Sequence, residues 1–212
     1  MNRYNRHIKT ERLKREERFM FFKVVGFLIL ITFYGCYFAK MISQKKKGIQ
    51  TDQIGKGKSG STKTIEVTMK ISTYLVPFAE VISIVIGTTV FPTGLRIAGA
   101  CLGGAGVVIF MISVVTMRDS WRAGVSKKDR TELVTNGIYQ ISRNPAFFGF
   151  DLVYIGILLM FFNWILLVFS VFAAIMFHLQ IVKVEEKFLL GAFGGEYLYY
   201  RNRVRRYIGR TL

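Results

Sequence analysis

Three long stretches of the chain, residues 24–39, 97–117 and 152–182, contain no Asp, Glu, Lys or Arg. Two of them exceed the roughly 18 apolar residues that a helix needs to cross a bilayer. Continuing each run outward until polar residues accumulate gives five spans: 19–42, 71–95, 96–117, 146–162 and 164–182. Phe91-Pro92-Thr93-Gly94 reads as a turn, so the second and third spans form a hairpin. Asn163-Trp164 breaks the longest run into a second hairpin, since Trp favours interfaces. The pattern predicts an all-α, polytopic membrane bundle of about five spans. It divides into a basic N-terminal segment (1–18), a first span with a basic linker (19–70), a membrane hairpin (71–117) and a C-terminal core with a helical tail (118–212).

The polar remainder is strongly basic, with a formal charge of +17. Beside long uncharged runs this is first a topology and lipid-surface signal. No recognition motif points to nucleic acid. The linker, segment 118–145 and the tail together carry 20 Lys and Arg, against 7 in the N-terminal segment. The positive-inside rule therefore places the tail in the cytoplasm of a cell membrane. The linker contains KKK at 45–47 and GKGKSGSTK at 55–63, which lacks P-loop order and reads as flexible. Cys36 and Cys101 sit in apolar runs, His7 and His178 lie far apart, and no metal site is predicted. Glu80 and Asp151 are acids within or beside predicted spans, where a carboxylate is expensive. Gly99, Gly103, Gly104 and Gly106 in the third span permit close helix packing.

The chemistry concentrates in residues 132–151, ELVTNGIYQISRNPAFFGFD. Thr135-Asn136-Gly137 forms a turn. Pro145 restricts Asn144 to extended geometry and can itself open a helix. A loop rich in hydrogen-bonding groups is thus delivered to the mouth of an apolar helix. The hairpin that follows returns Glu185-Glu186 and the basic tail to the same face.

LVTNGIY-x3-RNP, followed by EE-x6-FG-x-EY-x2-Y-x2-RV, resembles the C-terminal core of the isoprenylcysteine carboxyl methyltransferase family. It is similar, more loosely, to the phospholipid N-methyltransferases. The resemblance covers about residues 118–207. It implies an integral-membrane methyltransferase that takes a methyl group from S-adenosylmethionine without a soluble Rossmann-type domain. Indeed no βαβ pattern occurs in this sequence.

The positions that match the family's cofactor contacts are Thr131, Glu132, Leu133, Val134, Tyr139, Asn144, Pro145, Ala146, Phe147 and Glu185. Glu185 would hold the cofactor's ammonium. Arg143 and Arg203 match arginines near the reacting centre, where they would orient an anionic acceptor. Gly104-Ala105-Gly106 matches a GxG that the phospholipid branch associates with its cofactor. Asn144, Phe147 and Ile181 stand where the eukaryotic enzymes have His, Tyr and a substrate-linked Arg.

The implied partners are a lipophilic small-molecule acceptor, bearing a carboxylate, amine or hydroxyl, and membrane lipids. The oligomeric state is unknown at this level. The alternative is a non-catalytic lipid-binding protein that retains the fold.

Overall fold

The computed structural model describes residues 3–125 and 132–211. Six α-helices dominate it: α1 (Arg3–Lys46), α2 (Gly60–Ile86), α3 (Thr93–Met117), α4 (Pro145–Met160), α5 (Trp164–Leu179) and α6 (Glu186–Arg203). A π-helical turn, Gln180–Glu185, joins α5 to α6 without a break in the helical path. Strand-like pairing among the described residues is confined to two isolated bridges, Asp52 with Ala123 and Val204 with Arg210.

Four helical stretches are long and apolar enough to cross a membrane, namely Lys9–Lys46, Gly60–Ile86, Thr93–Ser120 and Trp164–Arg203. The α4 helix is apolar but has 16 residues. At 1.5 Å per residue it is about 24 Å long, short of a roughly 30 Å hydrocarbon core. The protein is an integral-membrane helical bundle.

The helix boundaries correct the sequence reading in two places. The second span begins at Gly60, with the polar residues 60–70 already helical, and ends at Ile86. Gly87 stops it: at φ 75° this residue adopts the left-handed conformation and donates its N–H to the Ser83 carbonyl. The rest of the 43–70 linker is ordered. Its Lys70 side chain pairs with Asp52 at 2.5 Å, and its backbone is bonded to the segment after α3. Scattered Gly and Lys conceal this, because the stabilising contacts come from residues far along the chain.

The closest approach in the bundle is between α3 and α4. A Cβ on Gly156 would lie 2.6 Å from the Gly99 carbonyl oxygen, and one on Gly106 would lie 2.7 Å from the Gly149 oxygen. Small residues let backbones touch, and in lipid such packing replaces the hydrophobic effect as the force between helices. Gly106 is thus engaged in packing, while a Cβ on Gly104 would meet nothing within 4 Å. Beside this seam the rings of Phe33, Phe110 and Phe150 meet with centroids 4.6–5.3 Å apart. Two residues secure the end of the bundle away from the tail. Arg96 Nε donates to the Met160 carbonyl at 3.0 Å. Asn163 accepts from Leu166 N and donates to Ser83 Oγ.

The α1 and α3 helices end, and α2 and α4 begin, at the face to which α5 returns the chain. Residues 47–59, 118–125, 132–144 and the tail therefore share one face of the bundle.

Candidate active site

The loop before α4 is shaped by local chemistry. Gly137 has φ 56° and opens a 3-10 turn, Gly137–Gln140. The turn buries the Tyr139 ring. Burial raises the Tyr139 phenol well above its ordinary range, so the group is neutral. Pro145 starts α4 in the helical position that needs no N–H.

The tail then binds this loop along its length. Tyr200 Oη donates to the Tyr139 carbonyl at 2.7 Å. Arg143 N donates to the Arg205 carbonyl at 3.2 Å, and Gly209 N donates to the Ile141 carbonyl at 2.8 Å. Asn144 Nδ2 donates to the Arg206 carbonyl at 3.0 Å. Leu133 packs on the buried Tyr197, Tyr200 and Val204 of the tail.

Glu186 is the electrostatic centre of this junction. It accepts from Arg206 Nε at 2.7 Å and from Arg206 Nη2 at 3.0 Å. Arg143 Nη2 lies 3.1 Å from the same carboxylate, and Arg143 Nη1 donates to Tyr197 Oη at 2.9 Å. These bonds raise the Arg206 guanidinium further above its ordinary value. One carboxylate thus serves two guanidiniums, and the cluster of Arg143, Arg206 and Glu186 keeps a net positive charge. The Arg143 Nε is buried and has no partner within the chain.

A cavity of about 400 Å³ opens beside this network. Glu132, Leu133, Val134, Tyr139, Asn144, Ala146 and Phe147 line it, together with Arg143. Glu185 reaches it from the far side of the hairpin. The π turn that ends at Glu185 shifts the helix register there, a feature frequent at functional sites. Glu185 Oε1 accepts a long hydrogen bond, 3.5 Å, from Gln180 Nε2.

Three predicted positions stand apart. Pro145 is buried in the first turn of α4 and is absent from the cavity wall. Arg203 is exposed on α6, donates to Tyr199 Oη at 2.7 Å and does not reach the cavity. Thr131 lies outside the described residues. Neither Gly104 nor Gly106 lines the cavity.

Sequence reasoning missed most of the wall. The missed part includes Tyr34, Tyr37, Phe38 and Met41 of α1, Asp52 and Ile54 of the linker, and Lys70, Thr73, Tyr74 and Pro77 of α2. Spans one and two carry no motif of their own. The available signals were an aromatic run in α1 and a proline inside α2. Glu186 and Arg206 were visible only as parts of an acidic pair and a basic run.

The bundle is thus a membrane protein with a cavity lined by both polar side chains and aromatic rings. The chain matches the phospholipid methyltransferase family over residues 95–196. It is also 39% identical, over 72 residues, to the protein-S-isoprenylcysteine O-methyltransferase of Saccharomyces cerevisiae (strain ATCC 204508 / S288c). That similarity covers 34% of this chain and 30% of the yeast protein, so the chain spans less than a third of that relative's length. By these two matches, the C-terminal half of the chain is similar to membrane methyltransferases of the phospholipid and isoprenylcysteine branches. Residues 132–147 and Glu185 fall inside the matched stretch, whereas α1, the linker and α2 fall outside it.

Proposed function

We infer that the protein is a methyltransferase that uses S-adenosylmethionine to methylate a lipophilic small molecule within the membrane. The observation that carries this reading is the convergence of residues 132–147 with Glu185 on one cavity. The volume lies in the range of ligand pockets, roughly 300–1,000 Å³. The donor set suits the cofactor. Leu133 and Val134 offer an apolar wall and backbone groups for adenine, Tyr139 a neutral ring, and Glu185 a carboxylate for the ammonium. Bound there, the cofactor supplies a methyl group on a sulfonium centre, ready for in-line displacement. The protein's own contribution is then alignment and exclusion of water.

Arg143 supports this reading in a changed role. It shares the Glu186 carboxylate with Arg206, so it joins loop to tail while the cluster keeps a net positive charge at the cavity wall. That favours orientation of an acceptor oxygen that carries or develops negative charge. Arg203 is left without a part in the site.

A lipophilic acceptor fits the aromatic part of the cavity between α1 and α2. Phe38 and Tyr74 line it and are also exposed on the outer surface of the bundle. A chain arriving from the bilayer meets the cavity between α1 and α2. The basic residues gathered at the site's face favour a cytoplasmic orientation in a cell membrane. Residues 132–147 and Glu185 supply the cofactor half, and the α1 and α2 rings of Tyr34, Phe38 and Tyr74 supply the acceptor half.

The direct test is calorimetric titration of detergent-purified protein with S-adenosylhomocysteine. Saturable binding that Glu185→Ala weakens is expected. A wild-type protein that does not bind it sinks the reading.

A further inference from the structure

The segment between α1 and α2 is built as carefully as the motif loop. Gln44, fully buried at the end of α1, donates from Nε2 to the Trp121 carbonyl at 2.9 Å. Its Oε1 accepts from Thr51 Oγ1 at 2.6 Å. Gln53 N donates to the Ala123 carbonyl at 2.8 Å, and Ala123 N donates to the Thr51 carbonyl at 3.0 Å. Residues 51–58 therefore form a strap tied to the segment that follows α3. Asp52 and Ile54 of the strap and Ala123, Gly124 and Val125 beside it are cavity wall.

The far end of the strap is held by one side chain. Glu66 lies in the first turns of α2 and is fully buried. It accepts from Gly55 N at 2.5 Å and pairs with the Lys58 ammonium. Gly55 has φ 71°, a conformation that aims its N–H at this carboxylate without strain. A buried carboxylate is costly unless paired and hydrogen-bonded. Both of these partners come from the strap. Lys58 is itself 14% exposed. Both Lys58 and Glu66 lie within electrostatic reach of Glu185.

We propose that residues 51–58 cover the cavity on the side of Asp52 and Ile54, and that Glu66 positions this cover through Gly55 and Lys58. This rests on the reading of the cavity as an S-adenosylmethionine site. Ligand entry and exit require the strap to lift, which separates Lys58 and Gly55 from Glu66. Glu66 thus sets the rate of exchange, as a positioning residue that acts through the strap. All of these groups except Glu185 precede residue 95, so the family match does not assign them.

Two measurements on the full chain in detergent test the proposal. Trypsin cleavage at Lys56 and Lys58 of ligand-free protein reads the strap, and dissociation of tritiated S-adenosylhomocysteine reads the site. Glu66→Gln is expected to accelerate both about tenfold. Lys58→Met, which removes the strap's ion pair with Glu66, is expected to accelerate dissociation severalfold, with Lys58→Arg restoring most of it. If Glu66→Gln leaves dissociation unchanged while wild-type binding is intact, the cover is overturned and the cofactor reading stands. If the wild type binds nothing, both fall. Should Glu66→Gln fail to fold, the Lys58 pair decides: a wild-type dissociation rate in Lys58→Met overturns the proposal.

Discussion

Arg143 and Glu186 lie 3.1 Å apart, and through this contact the loop before α4 and the helix after the hairpin become one unit. Their side chains are 8% and 11% exposed. Removing one partner of such a pair leaves the other buried and uncompensated, at a cost of about 3–5 kcal/mol. Glu186→Ala is expected to lower the thermal unfolding midpoint in detergent and to weaken S-adenosylhomocysteine binding. Arg203→Ala, at the other arginine of the motif, is expected to leave both within experimental scatter. Equal losses in the two variants would contradict this division of roles.

Glu185 and Tyr200 probe the site from two directions. Glu185→Ala removes the carboxylate proposed for the ammonium, and a charge-assisted hydrogen bond contributes about 1.5–3 kcal/mol. That corresponds to a roughly 10- to 150-fold rise in the dissociation constant. Glu185→Gln should lose less, since an amide oxygen still accepts. Calorimetry of the three proteins checks the order.

Tyr200→Phe deletes a buried hydrogen bond to the Tyr139 carbonyl while keeping the ring. The carbonyl is left unsatisfied, which costs about 1–3 kcal/mol. A lower unfolding midpoint with a severalfold loss of cofactor affinity is expected. Unchanged affinity would mean that the tail supports the fold without shaping the site.

The helical hairpins, the all-α class and the shape of the loop before α4 were legible in the sequence for physical reasons. Long uncharged runs have few folding options in lipid. Asn136-Gly137 and Asn144-Pro145 restrict their own backbones, so the loop's shape is encoded locally. Glu186 was legible as a charge, but its partners Arg143 and Arg206 are set by how the hairpin closes. The same holds for the linker. Glu66, Lys58 and Asp52 look like an ordinary polar mixture until α2 and the segment after α3 are brought beside them. Arg203 shows the opposite case: it matches the motif, yet the helix turns it away from the cavity.

The α3–α4 seam gives a sharp prediction about folding. Gly156 meets the backbone of Gly99 and Gly103 at 2.6–2.7 Å from where a Cβ would sit. Backbone cannot give way as a side chain can, so even Ala forces the helices apart. Overpacking of this kind costs about 1–3 kcal/mol and sometimes more. Gly156→Val should therefore reduce the yield of monodisperse protein and lower its unfolding midpoint strongly. Gly104→Ala, on the same helix as Gly103 but facing open space, should be neutral or slightly stabilising, since Ala is the better helix former. Size-exclusion profiles and thermal scans of the two variants compare the effects directly. A wild-type profile for Gly156→Val would mean that the close approach of α3 and α4 is not what holds the bundle together.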